Sequence, residues 1–377
     1  MLTTEKNQKI SLVEQLKKRN YGIDLLRLVS MFMVIILHVL GQGGILANSP
    51  SLTFRGEFFW SIEIMCYCAV NIFAIISGYV GLRAKHKYHS LISVTLELIF
   101  YAIVITIIDL IVLLSTKSEI TAIRVLSNLF PSVGSMWYFS AYFCLFFFMP
   151  LLNAIVENVD RNTLKKVAVF IFIVFCCCTQ FISRVTSLGG GYTVIWLAIL
   201  YVLGAYMAKY DFLHNLSIKK SLIGYFLCVA ITVLCRVIMG NISPSGANVL
   251  VSYTSPTIVL CAVFLVNVFA KIRVRPTAEK VISFLSPMAF GVYLVHCHPL
   301  VFRNLGGVFA WIAEKPTYFA LPLILAAGLT IFVACVVVIW IRILLFKLLK
   351  VSNLATAIEK ALKKLFSSIL KLIKADS

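Results

Sequence analysis

Taken as a string of apolar and polar positions, the chain falls into ten long apolar runs with short polar segments between them. The runs cover about 23–41, 57–81, 91–114, 137–156, 167–183, 192–208, 221–239, 249–270, 281–302 and 319–341. A run of about 20 apolar residues spans the hydrocarbon core of a bilayer as an α-helix, and a helix satisfies its own backbone hydrogen bonds there. The pattern predicts an all-α, polytopic integral membrane protein of about ten transmembrane helices. The last stretch reads differently. From Val351 on, Leu354, Ile358, Leu362, Leu365 and Ile369 recur at helical spacing among Lys360, Lys363, Lys364, Lys371 and Lys374. That pattern predicts a C-terminal amphipathic helix lying on a membrane surface.

Composition sharpens this picture. The 377 residues are 61% hydrophobic and 13% charged, where a soluble domain carries about 25% charged residues. The net charge of +19 would suit a polyanionic partner. The basic residues, however, sit at the ends of the apolar runs, which speaks for topology and anionic lipid rather than nucleic acid. Of the 34 Lys and Arg, 26 fall in the N-terminal segment, the tail and every second loop, and six fall in the alternate loops. The positive-inside rule then places both termini in the cytoplasm. The organisation expected is a cytoplasmic segment at 1–20, a transmembrane domain at 21–342 and a basic amphipathic tail at 343–377. The first run follows twenty mostly polar residues and precedes no small-residue cleavage site, so it is read as a retained helix rather than a secretory signal. The eleven cysteines lie inside apolar runs, without CxxC or Cys/His ligand spacing, and are read as small buried hydrophobes. No metal site and no permanently bound cofactor is expected. Walker A, GxGxxG and HExxH patterns are absent, which leaves an ATP-driven pump or a membrane metalloprotease without support.

Candidate chemistry begins in the first run, Tyr21–Gly44, which is apolar from Ile23 to Leu40 except for Asp24, Arg27, Ser30 and His38. Ionisable groups in a membrane helix are costly and mark function by default. Arg27 and His38 are eleven residues apart, about three turns, so they share a face and stand about 16 Å apart along the axis. Asp24 is placed to pair with Arg27. A histidine can take a proton from a hydroxyl at neutral pH, and a guanidinium suits a phosphate. The bland alternatives are a helix-packing histidine and an Arg27 that snorkels or serves only an ion pair. Further polar candidates are Glu63, to orient His38 or pair with Arg236; Asn71; Ser77, beside Gly78 at a close helix contact; Trp137 and Tyr138, also suited to an interfacial belt; and His296 and His298, the latter before Pro299.

Five segments together resemble the membrane-bound acyltransferase type 3 family: Arg27-x10-His38, NIFAIISGYVG at Asn71–Gly81, MWYFSAYFCLFFFMPLLN at Met136–Asn153, LGAYMAKY at Leu203–Tyr210 and FGVYLVHCHPLV at Phe290–Val301. The resemblance runs from about Gly22 to Arg342. Some members with a fused extracellular domain carry Arg-x-x-Arg after the second helix, where this chain has Arg83-Ala-Lys-His86-Lys87. The resemblance implies transfer of an acyl group, usually acetyl, from cytoplasmic acyl-CoA to a hydroxyl of an acceptor outside the membrane, often a sugar of a cell-surface polysaccharide or its lipid-linked precursor. It implies a bacterial plasma membrane, with His38 and Arg27 catalytic and His296 at the site, while Asp24, Glu63, Asn71, Ser77, Trp137, Tyr138 and His298 are expected to bind substrate from their polar or interfacial positions in the apolar runs. A secondary transporter or glycan flippase would also explain ten helices with buried charges, although the chain shows no paired halves. A non-catalytic membrane partner of a glycan-synthesis complex is the remaining alternative.

Overall fold

The computed structural model describes residues 19–180, 188–211 and 213–375, and among these there are helices and turns but no strand. In chain order the helices are α1 (Tyr21–Leu40), α2 (Phe54–Tyr67), α3 (Ala69–Gly81), α4 (Tyr88–Ser115), α5 (Ala122–Leu129), α6 (Pro131–Gly134), α7 (Trp137–Asn158), α8 (Arg161–Ile171), α9 (Val194–Tyr210), α10 (Ile218–Ile242), α11 (Pro256–Lys271), α12 (Pro276–Leu285), α13 (Ala289–His296), α14 (Pro299–Asn304), α15 (Thr317–Leu348) and α16 (Val351–Ala375). Seven spans are long and apolar enough to cross a membrane: α1, α2 with α3, α4, α7, α10, α12 with α13, and α15. The apolar helices α9 and α11 are shorter. Helix α8 runs on as a π turn, Phe172–Cys177, and a 3-10 turn, Cys178–Gln180. The rest of the expected fifth run, and nearly all of the N-terminal segment, lie outside the described residues.

Helix α1 is the hub. The Asn20 side chain caps it by accepting from the Gly22 and Ile23 amides. It then packs against α2, α3, α11, α13 and α15, so most of its surface is buried. Close crossings rest on glycines, as in other membrane bundles. A Cβ on Gly78 would overlap the Tyr201 carbonyl, and one on Gly204 the Ile75 carbonyl, so α3 and α9 touch backbone to backbone. Beyond α1 the chain is stitched to the segment after α14. The Gly307 amide donates to the Gln42 carbonyl at 3.1 Å, and the Phe309 amide to the Gly43 carbonyl at 2.9 Å.

Three stretches depart from the sequence expectation. The run 281–302 is not one helix. A 3-10 turn at Ser286–Met288 interrupts it, and α13 ends at His296. Pro299 disfavours helical backbone in the residue before it, and His298 accordingly takes φ −58°, ψ 136°. The chain then turns helical again with Pro299 at the first helical position. The run 249–270 becomes helical only at Pro256, and the segment expected as a plain loop at 115–135 contains α5 and α6. The tail forms α16, which packs beside α4, with Ala355 buried and Glu359 paired to Lys363 at 2.8 Å.

Three buried charges are neutralised locally, as a low-dielectric interior requires. Arg342 pairs with Glu97 at 2.9 Å and donates to the Tyr101 hydroxyl. Asp109 accepts from Arg124 and from Asn128, the latter at 2.9 Å. Arg236 pairs with Glu57 at 3.0 Å, donates to Asn248 and Ser51, and lies over the Trp60 ring. This corrects the expectation that Arg236 pairs with Glu63: Glu57, at the start of α2, takes that place.

Candidate active site

A cavity of about 400 Å³ lies among the C-terminal half of α1, the α2–α3 junction, the start of α7, α13 and the segments before α9 and α11. It follows α1 from Met31 to His38, about 10 Å at 1.5 Å per residue, and continues past the helix end to Gln42. Its walls are aromatic and aliphatic. The polar side chains facing it are His38, Gln42, Glu63, Ser135, Cys297 and a set of tyrosines. A shallower groove on α10, lined by Ile218, Leu222, Ile223, Phe226 and Leu227, has Lys219 at its edge as its one ionisable group. It offers no set of convergent polar groups.

His38 is held by a chain of two hydrogen bonds. Its Nδ1 lies 3.1 Å from His296 Nε2, and His296 Nδ1 lies 2.6 Å from the Val292 carbonyl oxygen. A carbonyl only accepts, so a neutral His296 donates from Nδ1 and keeps a lone pair on Nε2. His38 Nδ1 then donates to that lone pair, which leaves the lone pair of His38 on Nε2. No partner for His38 Nε2 is found among the described residues. The sequence sets this up through Pro299: with α13 ending at His296, that ring and Cys297 sit at a helix terminus against α1. Phe302 stands edge-on to the His38 ring at 5.0 Å between centroids. Cys297 Sγ lies 3.4 Å from His296 Nε2 and 3.9 Å from His38 Nδ1. The three donor atoms lie within 4.8 Å of one another, close enough to share a metal ion, although no ligand spacing announced this in the sequence. The two imidazoles are already joined by a hydrogen bond.

Arg27 lies one turn below the foot of the cavity. Its Nη1 donates to Asp24 Oδ1 at 2.8 Å and to Ser286 Oγ at 3.1 Å, and Ser286 Oγ donates to Asp24 Oδ1 at 3.1 Å. Arg19 also pairs with Asp24. Among the described residues Nη1 takes all of Arg27's hydrogen bonds, so Nε and Nη2 present a free edge.

The remaining candidates divide. Glu63, Trp137 and Tyr138 face the cavity. Asn71 is fully buried and uses both ends of its amide, donating to the Tyr253 carbonyl at 2.8 Å and accepting from Trp196 Nε1 at 3.1 Å. Ser77 donates to the Phe73 carbonyl at 2.8 Å. His298 donates from Nε2 to the Asn128 carbonyl at 3.0 Å and accepts the Leu300 amide on Nδ1, so it joins α14 to α5. Sequence reasoning did not single out Tyr67, Tyr192, Tyr253 or Cys297. The only trace of them was the spacing of Glu63 and Tyr67, four apart on one helix face.

A family model described as an acyltransferase domain matches residues 20–342. The chain belongs to the acyltransferase 3 family. No curated protein and no solved structure matches it. The match begins at the cap of α1 and ends at Arg342, so the whole cavity and the Arg27–His38 helix lie inside it, while α16 lies beyond. As a membrane acyltransferase the protein must bring a donor and an acceptor to one point. The cavity offers an imidazole with an unengaged nitrogen in a mostly apolar enclosure, which suits a proton acceptor, and beneath it a guanidinium edge, which suits an anion.

Proposed function

We propose that the protein transfers an acyl group, by preference acetyl, from acyl-CoA on the cytoplasmic side to a hydroxyl of an extracytoplasmic acceptor. The acceptor class is a cell-surface polysaccharide or its lipid-linked precursor, and the setting is a bacterial plasma membrane with cytoplasmic termini. The observation that carries this reading is His38, which lines the cavity of an acyltransferase and whose Nδ1 is engaged by the His296–Val292 relay, leaving Nε2 without a partner among the described residues.

In this reading the acceptor hydroxyl attacks the thioester carbonyl while His38 Nε2 takes its proton. The carbon–sulfur bond breaks, and the imidazolium returns the proton to the departing CoA thiolate. His296 stabilises the charged ring through its own lone pair. Arg27, held on one side by Asp24 and Ser286, offers its free edge to the phosphates or thioester arm of the donor, a geometry guanidinium serves better than ammonium. Trp137 and Tyr138 line the path. Asn71, Ser77 and His298 act behind the wall by fixing Tyr253, α3 and the α5–α14 contact.

The test is His38→Ala in purified full-length protein, with labelled acetyl-CoA and isolated surface glycan. Transfer should fall by roughly 10²–10⁴-fold while acetyl-CoA binding stays at the wild-type level. Full acceptor-dependent transfer by the variant would overturn the assignment.

A further inference from the structure

Glu63 is 8% exposed, and its Oε2 is the one carboxylate oxygen among the described residues that is fully buried without a hydrogen-bond partner. Such an atom in a folded protein calls for an explanation. Glu63 faces the same cavity as His38, so a ligand can supply the missing partner. The wall around it is aromatic. Tyr67 lies one turn along the same helix. The Tyr67 and Tyr253 rings are 4.9 Å apart, Tyr192 and Tyr253 5.0 Å, and Trp137 and Tyr192 4.6 Å between centroids. The Tyr67 and Tyr192 rings each pack against that of Tyr253, and all three tyrosines line the cavity beside Glu63.

This wall is built rather than incidental. It joins four segments far apart in the sequence. Asn71 spends its amide on the Tyr253 backbone. Gly191 has φ +98°, and a Cβ there would stand 2.5 Å from that of Tyr253. Tyr192 and Tyr253 therefore meet only because residue 191 is glycine.

We propose that this wall is the acceptor subsite and that it takes a pyranose ring, an assignment that rests on the acyl-transfer reading above. The C–H face of the sugar lies on the aromatic rings, the Glu63 carboxyl binds one or two hydroxyls, and a further hydroxyl points along the cavity toward His38 Nε2. A carboxyl among aromatic rings also suits an alkylammonium ion. The tyrosine hydroxyls favour the sugar: three hydrogen-bonding groups in the wall serve a polyol and do nothing for a methylated cation. A site made to bind hydroxyls leaves its own polar groups unpaired when they are missing, which is the source of its selectivity.

The probes are methyl α-glycosides of glucose, galactose, mannose and N-acetylglucosamine, with choline as the cationic control. Binding to full-length protein in nanodiscs is read by saturation-transfer NMR, which requires no turnover. At least one glycoside should bind wild-type protein. Glu63→Gln, which keeps size but exchanges the carboxyl for an amide, should weaken that binding about tenfold or more, and Tyr67→Phe by a few-fold. Choline should not bind. The proposal is overturned if no glycoside binds, if choline binds in their place, or if Glu63→Gln and Tyr67→Phe both bind like wild type. If the binding pattern holds but the bound glycoside triggers no CoA release from acetyl-CoA, the subsite stands and the acyl-transfer reading falls.

Discussion

Replacing His296 isolates the role of the relay behind His38. His296→Phe puts a ring of similar size into a site only 1% exposed, so the packing against α1 is largely kept. It removes the lone pair that accepts from His38 Nδ1 at 3.1 Å and the N–H that donates to Val292 at 2.6 Å. The Val292 carbonyl lies within α13 and retains its helical partner, so that loss is minor. The His38 donor has no substitute within reach except the weakly accepting Cys297 sulfur. Leaving such a donor unpaired costs about 1–3 kcal/mol, which at 1.36 kcal/mol per decade is a rate loss of about 5- to 150-fold. The loss arises because the ring no longer favours the tautomer with its lone pair on Nε2. His296→Gln places an amide oxygen where the lone pair was and should recover part of the rate. The assay is turnover at saturating acetyl-CoA and acceptor, with acetyl-CoA affinity measured in parallel. Turnover should fall in the order wild type, Gln, Phe, with affinity unchanged. Wild-type turnover by His296→Phe would refute the relay, and a Gln variant as slow as Phe would show that packing, not the lone pair, matters.

Other expectations follow from single contacts. Gly204→Val should drive α3 and α9 apart at the Ile75 carbonyl and lower the melting temperature and the folded yield, and a melting curve identical to wild type would contradict the backbone contact. Glu57→Gln leaves Arg236, whose side chain is 2% exposed, without its counter-ion. Breaking a buried pair costs about 3–5 kcal/mol, and a melting temperature unchanged in detergent would show that Asn248 and Ser51 suffice. Arg27→Lys keeps the charge but loses the fork, so acetyl-CoA affinity should drop about tenfold; unchanged affinity in folded protein would confine Arg27 to its network with Asp24 and Ser286.

The single spans were legible because a long apolar run has few alternatives in a membrane. α1, α4, α7 and α10 begin and end within three residues of the expected bounds, and α15 begins as expected but runs on to Leu348. The Arg27–His38 face was legible for the same reason: spacing on one helix is a local property. The rest depended on distance. That Arg236 meets Glu57 rather than Glu63, six residues further on, turns on how α10 lies against α2, which no sequence pattern states. The break after His296 was half visible, since Pro299 marks a boundary, but nothing local showed that the freed helix end would meet His38. The tyrosine wall was invisible. Tyr67, Tyr192 and Tyr253 each look like an ordinary aromatic near a helix end, and only the fold places them on one surface. Asp109, which had no reading in the sequence, proved to be the counter-ion that secures α5.

The seam between Gln42–Gly43 and Gly307–Phe309 has a consequence for how such a protein diversifies. Its two main-chain bonds survive a change of side chain at Gln42 or Phe309, and a change at Gln42 forfeits only the further bond from its side chain to the Phe302 carbonyl at 3.2 Å. Gly43 and Gly307 are the exceptions, because a Cβ on Gly43 would collide with the Val39 carbonyl and crowd Phe309, and Gly307 holds φ +73°. Mutations at the rim can thus accumulate without loosening the helix that carries His38. A lineage under pressure to accept a new partner has room to vary its doorway while the chemistry behind it stays put.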